Sequence, residues 1–144
     1  MRHWLPEADH QRCTVHVQRN VFTKVPRRLQ ERVANEVGFV FDSESKAQAR
    51  ERLQDFEARW AKELPEAVAC LKGAFEAATV FYKYPSAHWR RIKTTNSIER
   101  LHGELKRRTR AVGAFPDRQS ALRLLTSVAI KHCARWAHKL YLDM

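Results

Sequence analysis

Cysteine is scarce in this sequence. Cys13, Cys70 and Cys133 are odd in number, widely spaced and form no C-x-x-C pair. A disulfide framework is therefore not expected, and a reducing compartment is. Four glycines and five prolines among 144 residues are too few for an all-β chain, whose frequent turns demand them, so helices are expected to dominate. No apolar run approaches the roughly 18 residues that cross a bilayer, and Met1-Arg2-His3-Trp4 leads into no signal-peptide core. A cytoplasmic protein with no membrane partner is expected. Carboxylates are outnumbered, with 16 Asp and Glu against 27 Lys and Arg. The net charge of +11 makes a polyanion the natural partner. Hydrophobic residues, at 44%, suffice for one core-bearing domain.

Residues 11 to 17, Gln-Arg-Cys-Thr-Val-His-Val, combine β-branched residues with partial alternation and form the best strand candidate. A lone strand cannot satisfy its own backbone, so this segment needs a partner from elsewhere or is an extended connector. Beyond Pro26 the period becomes helical. Leu29, Val33, Val37 and Phe41 recur every fourth residue. Ser45 and Gln48 fit a capping box for a helix reaching about Leu64, with Ala49, Leu53, Phe56 and Trp60 inward. Pro65 suits the first turn of a third helix carrying Val68, Leu71, Phe75 and Ala78. Residues 27 to 81 thus read as a helical stack. Tyr82 to Lys93 reads as irregular, a helix follows from about Ser97 to Val112, and a last helix from about Asp117 to Leu142 places Leu122, Leu125, Ala129, His132, Trp136 and Leu140 on one stripe.

The charge is unevenly placed. Residues 35 to 65 hold five basic and seven acidic side chains, whereas residues 86 to 118 hold nine basic and three acidic. Arg90, Arg91, Lys93, Arg100, Lys106, Arg107, Arg108 and Arg110 are the candidate DNA-binding residues, and arginine suits two-pronged phosphate contact. A solvated charged face is the plainer alternative. Replacing Arg107, Arg108 and Arg110 is expected to flatten the salt dependence of DNA binding.

Two of the three carboxylates in this cationic stretch lie on the predicted helix from about Ser97 to Val112. Glu104 has Arg100 and Arg108 one turn away on either side, so helix ion pairs account for it. Glu99 instead shares a face with Gly103, Lys106 and Arg110, which leaves open space beside a carboxylate among phosphate-binding cations, as a metal-dependent phosphoryl-transfer site requires. The bland reading is a capping box in which Glu99 bonds the Asn96 backbone N–H.

The string Thr94-Thr95-Asn96-Ser97-Ile98-Glu99-Arg100, followed by Lys106-Arg107-Arg108-Thr109-Arg110, Gly113 and Phe115-Pro116, closely resembles the C-terminal signature of mutator-type bacterial transposases. Tyr84-Pro85, His88-Trp89, Gln11-Arg12-Cys13 with His16, Arg19 and Asn20, and Trp136 with Tyr141-Leu142 extend the likeness over essentially the whole chain. The resemblance implies a C-terminal part, residues 1 to 144, of a ribonuclease H-like α/β catalytic core: mainly α, with a strand remnant at 11 to 17, a helical insertion at 27 to 81, and Glu-bearing and closing helices at 96 to 142. It implies Glu99 as catalytic residue and third ligand for Mg²⁺ or Mn²⁺. The two family aspartates lie upstream of the Gln-Arg-Cys segment, and Glu7 and Asp9 stand in the wrong context to replace them, so the chain resembles a truncated copy. It is expected to bind DNA, to hold no metal stably alone, and to need an aspartate-bearing N-terminal segment or a full transposase protomer. The alternative is a non-catalytic helical DNA-binding or transposase-interacting protein. Cys13 and His16 form a pair that also occurs in the family; zinc would need two more ligands, and His132, Cys133 and His138 do not have finger spacing. His102 is a weaker candidate, and Trp89 is either a base-stacking residue or a core aromatic.

Overall fold

A computed structural model describes the backbone of residues 7–137 and side chains as far as Ala134. The opening residues through Pro6, the side chain of Trp136, and His138, Leu140, Tyr141 and Leu142 lie outside that range. Among the described residues, seven α-helices run in order: α1 (Thr14–Phe22), α2 (Gln30–Phe41), α3 (Lys46–Trp60), α4 (Pro65–Ala78), α5 (Ser86–Ile92), α6 (Asn96–Val112) and α7 (Arg118–Ala137). Short 3₁₀ turns cover Arg27–Leu29 and Val80–Lys83. No described residue is in a strand. Among the described residues, no helix is long and apolar enough to cross a membrane. The chain forms two compact units, Met1–Thr94 and Thr95–Met144.

The first unit is a helical body in which α1 packs on α2 and α4, and α3 packs on α2 and α4. Its core follows the helical stripes read from the sequence. Val33, Val37 and Phe41 of α2, Ala49, Leu53, Phe56 and Trp60 of α3, and Val68, Leu71, Phe75 and Ala78 of α4 are all buried. Ser45 caps α3 by accepting the Gln48 N–H at 3.1 Å, and the Gln48 side chain accepts the Glu44 N–H at 2.8 Å. This reciprocal arrangement is worth about 1 kcal/mol.

The strand expected at 11 to 17 is not formed. From Thr14 the chain is helical, because Thr14, Val17 and Val21 can all be buried on one α1 face, and that packing overrides β propensity. The residues before it are an extended connector with its polar groups satisfied. Arg12 N–H donates to Ala77 O at 2.7 Å, and Thr14 N–H to Lys93 O at 2.9 Å. Gln11 is a side-chain staple: its Nε2 donates to Ala78 O at 2.8 Å and its Oε1 accepts the Phe81 N–H at 2.8 Å. The region from Tyr82 to Lys93, expected to be irregular, contains α5.

The second unit is the antiparallel pair α6 and α7. Asp117 starts α7 by accepting the Ser120 N–H at 2.6 Å. The face of α7 toward α6 is rotated from the expected stripe: Val128 is buried, whereas Leu122 is exposed. The gaps explain the misreading, since Leu124 and Val128 repeat at four just as Leu122 and Leu125 repeat at three. Gly113 ends α6 at a φ of +74°, a backbone angle that favours glycine.

Candidate nucleic-acid interface

α6 begins with Asn96 rather than Ser97. Thr95, not Asn96, is the N-cap, and the first helical bond runs from Glu99 N–H to Thr95 O at 2.9 Å. The Thr95 hydroxyl donates to Glu99 Oε1 at 2.7 Å. The hydroxyl thus fixes the position of an exposed carboxylate in the first turn, where the partial positive charge of the helix end favours an anion. The sequence carries that signal as a threonine one turn before Glu99, and the reading from Asn96 missed it.

Glu99, Gly103, Lys106 and Arg110 follow one stripe along α6, and Lys106 and Arg110 are exposed. A Cβ placed on Gly103 would meet nothing within 4 Å among its neighbours. Packing therefore does not require glycine at that position. Gly103→Ala is expected to raise the stability of the second unit by about 1 kcal/mol, read as a higher denaturant midpoint. A destabilised variant would show that something must approach the helix backbone in the folded chain itself.

Glu104 lies about 140° around the helix from Glu99 and is tied up in ion pairs. Arg107 grips it with two bonds, Nε to Oε2 and Nη2 to Oε1, both at 2.9 Å, and Arg108 Nε donates at 2.7 Å. Arg108 was expected as a partner; Arg107 takes the place given to Arg100. These guanidinium bonds, Arg107 first and Arg108 second, hold the Glu104 carboxyl down from its ordinary 4.5 to about 2. A lowered folded-state value makes the stabilisation complete above the ordinary value and lost as pH falls through the lowered one. The unit carrying α6 should therefore lose Glu104-dependent stability between about pH 4.5 and 2, and Glu104→Gln should remove that part of its acid sensitivity in unfolding followed by circular dichroism. An unchanged acid profile would show that the pairs contribute nothing.

Among the described residues, Arg100, Lys106 and Arg110 of α6 carry no ion pair, in contrast to Arg107 and Arg108. Arg100 and Arg108 also line a groove of about 390 Å³ within this unit, where Lys131 of α7 adds to the positive rim around Glu104 and His132 completes the lining. Arg90, Arg91 and Lys93 belong to the first unit. Lys93 is engaged there, donating to Asp42 Oδ1 at 2.6 Å. The basic stretch, continuous in sequence, is therefore divided between the two units.

Trp89 is half-buried. It meets Phe81 and Tyr82 edge-on and donates its indole N–H to Tyr84 O at 2.7 Å, the arrangement of a core aromatic. Cys13 is buried at the start of α1, while His16 is exposed. No three His, Cys, Asp or Glu side chains converge among the described residues, so neither this pair nor Glu99 heads a metal-binding cluster built from them.

The sequence profile described as Transposase, Mutator family, matches residues 1–139. The chain belongs to that family. It is 31% identical to the transposase for insertion sequence element ISRM5 of Rhizobium meliloti, a match covering 92% of this chain and 33% of the relative. It is also 31% identical to the transposase for IS406 of Burkholderia multivorans, covering 96% of this chain and 36% of that protein. The transposase for IS1201 of Lactobacillus helveticus is 36% identical, over 80% of this chain and 31% of its own length. The chain thus spans about a third of the length of these relatives.

Proposed function

We propose that this chain is the C-terminal part of an insertion-sequence transposase, supplying one acidic catalytic residue and a cationic surface for DNA. The observation that carries the reading is the α6 stripe, on which an exposed carboxylate fixed by Thr95 precedes the uncovered backbone at Gly103 and the cations Lys106 and Arg110. Cations next to a carboxylate hold phosphates where a hard-metal ligand is also at hand. In this reading Glu99 joins two aspartates, from an N-terminal segment or another transposase protomer, in a ribonuclease H-like core with residues 27 to 81 as its helical insertion. Mg²⁺ or Mn²⁺ is the metal such carboxylates would hold. In this reading the chain's own residues supply only part of that site. The same observation supports a second reading, a non-catalytic DNA-binding or transposase-interacting module.

DNA binding is the shared expectation, and it is tested with the full chain. Arg100, Lys106 and Arg110 are taken as the main DNA-binding cations, since the single charge of Glu104 is shared by Arg107 and Arg108 and offsets half of theirs. R100Q/K106Q/R110Q is expected to reduce the slope of log affinity against log salt by about 3, roughly 0.9 for each phosphate no longer neutralised. Fluorescence anisotropy with a random-sequence duplex measures it. An unchanged slope would move the DNA surface off α6.

A further inference from the structure

The first unit has a cationic face of its own, which the contrast between residues 35 to 65 and 86 to 118 did not disclose. Residues 10 to 30 contain five Lys and Arg and no Asp or Glu. Elsewhere in this unit cations are generally matched: Lys46 and Arg50 share Glu76, Arg59 binds Glu36, Lys72 binds Glu57, and Lys93 binds Asp42. Within the acid-free stretch, Lys24 and Arg28 reach Glu66 and Glu63. Arg12 and Arg19 have no carboxylate partner among the described residues, and the preceding acid, Asp9, is taken by Lys83 and Tyr84.

Both arginines are exposed. With Thr14, Val17 and Val21 turned into the core, α1 turns His16, Arg19 and Asn20 to solvent, and the exposed Arg12 precedes its first turn. The Lys93 carbonyl accepts both the backbone N–H and, at 3.0 Å, the hydroxyl of Thr14. That pair of bonds to one oxygen brings the last turn of α5, which carries Arg90, against the start of α1; Arg90 has no carboxylate partner among the described residues.

We infer that the outer face of α1, with Arg12, His16, Arg19, Asn20 and Arg90, is a second DNA-contact surface that grips the phosphate backbone of a duplex. The inference rests on the reading of the chain as DNA-binding, but it assigns a different face in a different unit. Arg12 lies in the extended connector and Arg19 in the second turn of α1, so each can meet a separate phosphate. Arginine gives two-pronged phosphate bonds, and Asn20 adds a neutral donor that fixes register without reading bases. The absence of any acid on α1 removes the repulsion that a mixed surface would present.

The full chain again provides the test. R12Q/R19Q/R90Q should lower the salt slope for a random duplex by about 3 and weaken binding at least tenfold at low salt. R12K/R19K/R90K should keep the slope, because charge is retained. Since none of the three side chains is buried, the helical circular dichroism of both variants should match the parent; if the triple fails to fold, R19Q alone should lower the slope by about 1. An unchanged slope in R12Q/R19Q/R90Q, or in R19Q where only that folds, overturns the inference while leaving the α6 surface to stand on R100Q/K106Q/R110Q. The opposite pattern, a lower slope from the α1 triple alone, removes α6 and keeps this face. An equal drop with a single-stranded oligonucleotide that binds as tightly as the duplex would overturn the assignment to duplex DNA.

Discussion

Glu99→Gln is expected to abolish strand cleavage in a protein completed by the aspartate-bearing segment, with a loss beyond the roughly 10- to 100-fold that follows removal of a group merely supporting a metal ligand. Gln keeps the size of Glu99 and an oxygen for the Thr95 hydroxyl, but removes the negative charge that hard divalent cations seek. Glu104 cannot substitute. It lies on another side of α6, and its oxygens are occupied by Arg107 and Arg108. The purified chain alone should not nick supercoiled plasmid with either Mg²⁺ or Mn²⁺, since two-metal phosphoryl transfer needs several converging carboxylates and the described residues bring no three such donors together. Nicking assays on the chain, on the completed protein and on its Gln variant decide the matter. Retained cleavage in the completed variant would remove Glu99 from the site. Nicking by the chain alone that stops on the Gln change would show that it assembles the site from its own residues.

The largest effect on stability is expected at Trp60. Its ring is 3% exposed, its indole N–H donates to Glu36 Oε2 at 2.8 Å, and the Arg32 guanidinium lies 5.1 Å from the ring centre. Glu36 is itself mostly covered and also receives Arg59 at 2.8 Å. Trp60→Ala would leave a cavity between α2 and α3 and strip a partner from a half-buried carboxylate. Its cost should be about 3–5 kcal/mol, a large part of the roughly 5–15 kcal/mol that holds an ordinary domain together. Trp60→Phe keeps most of the apolar packing and removes the bond to a charged acceptor, which predicts about 1–3 kcal/mol. Urea unfolding separates the two. Equal costs would assign the whole effect to the Glu36 bond, and a cost below about 1 kcal/mol for Trp60→Ala would contradict its place in the core.

The helices whose inward faces were legible are those with unbroken stripes. Leu29 to Phe41, Ala49 to Trp60 and Val68 to Ala78 each repeat every three or four residues, and burial followed that period. Residues 11 to 17 misled because Thr14, Val15 and Val17 favour strands locally, while Val21, the residue that completes a helical face, lies beyond the window. The α5 helix was hidden by its shortness and by aromatic residues that pack toward Phe81 rather than along a stripe. At the candidate site the acidic residue and its open face were legible. The rival pairings of Glu104 were not, because Arg107 and Arg108 both lie within reach and only geometry selects a two-pronged grip. Nor was it legible that Arg90 and Arg100, ten positions apart, belong to different units.

The distribution of buried side chains has a thermal consequence. Val128 is the sole buried apolar side chain among the described residues of the second unit, whereas the first holds an extensive core. Heat absorbed on unfolding comes chiefly from dismantling packed interiors and hydrogen-bonded backbone, at roughly 0.7 kcal/mol per residue for well-packed proteins near 60 °C. The first unit should approach that density of heat uptake. The hairpin of α6 and α7 has helical backbone to melt but little interior to dismantle, so an enthalpy averaged over all 144 residues understates the one part and overstates the other.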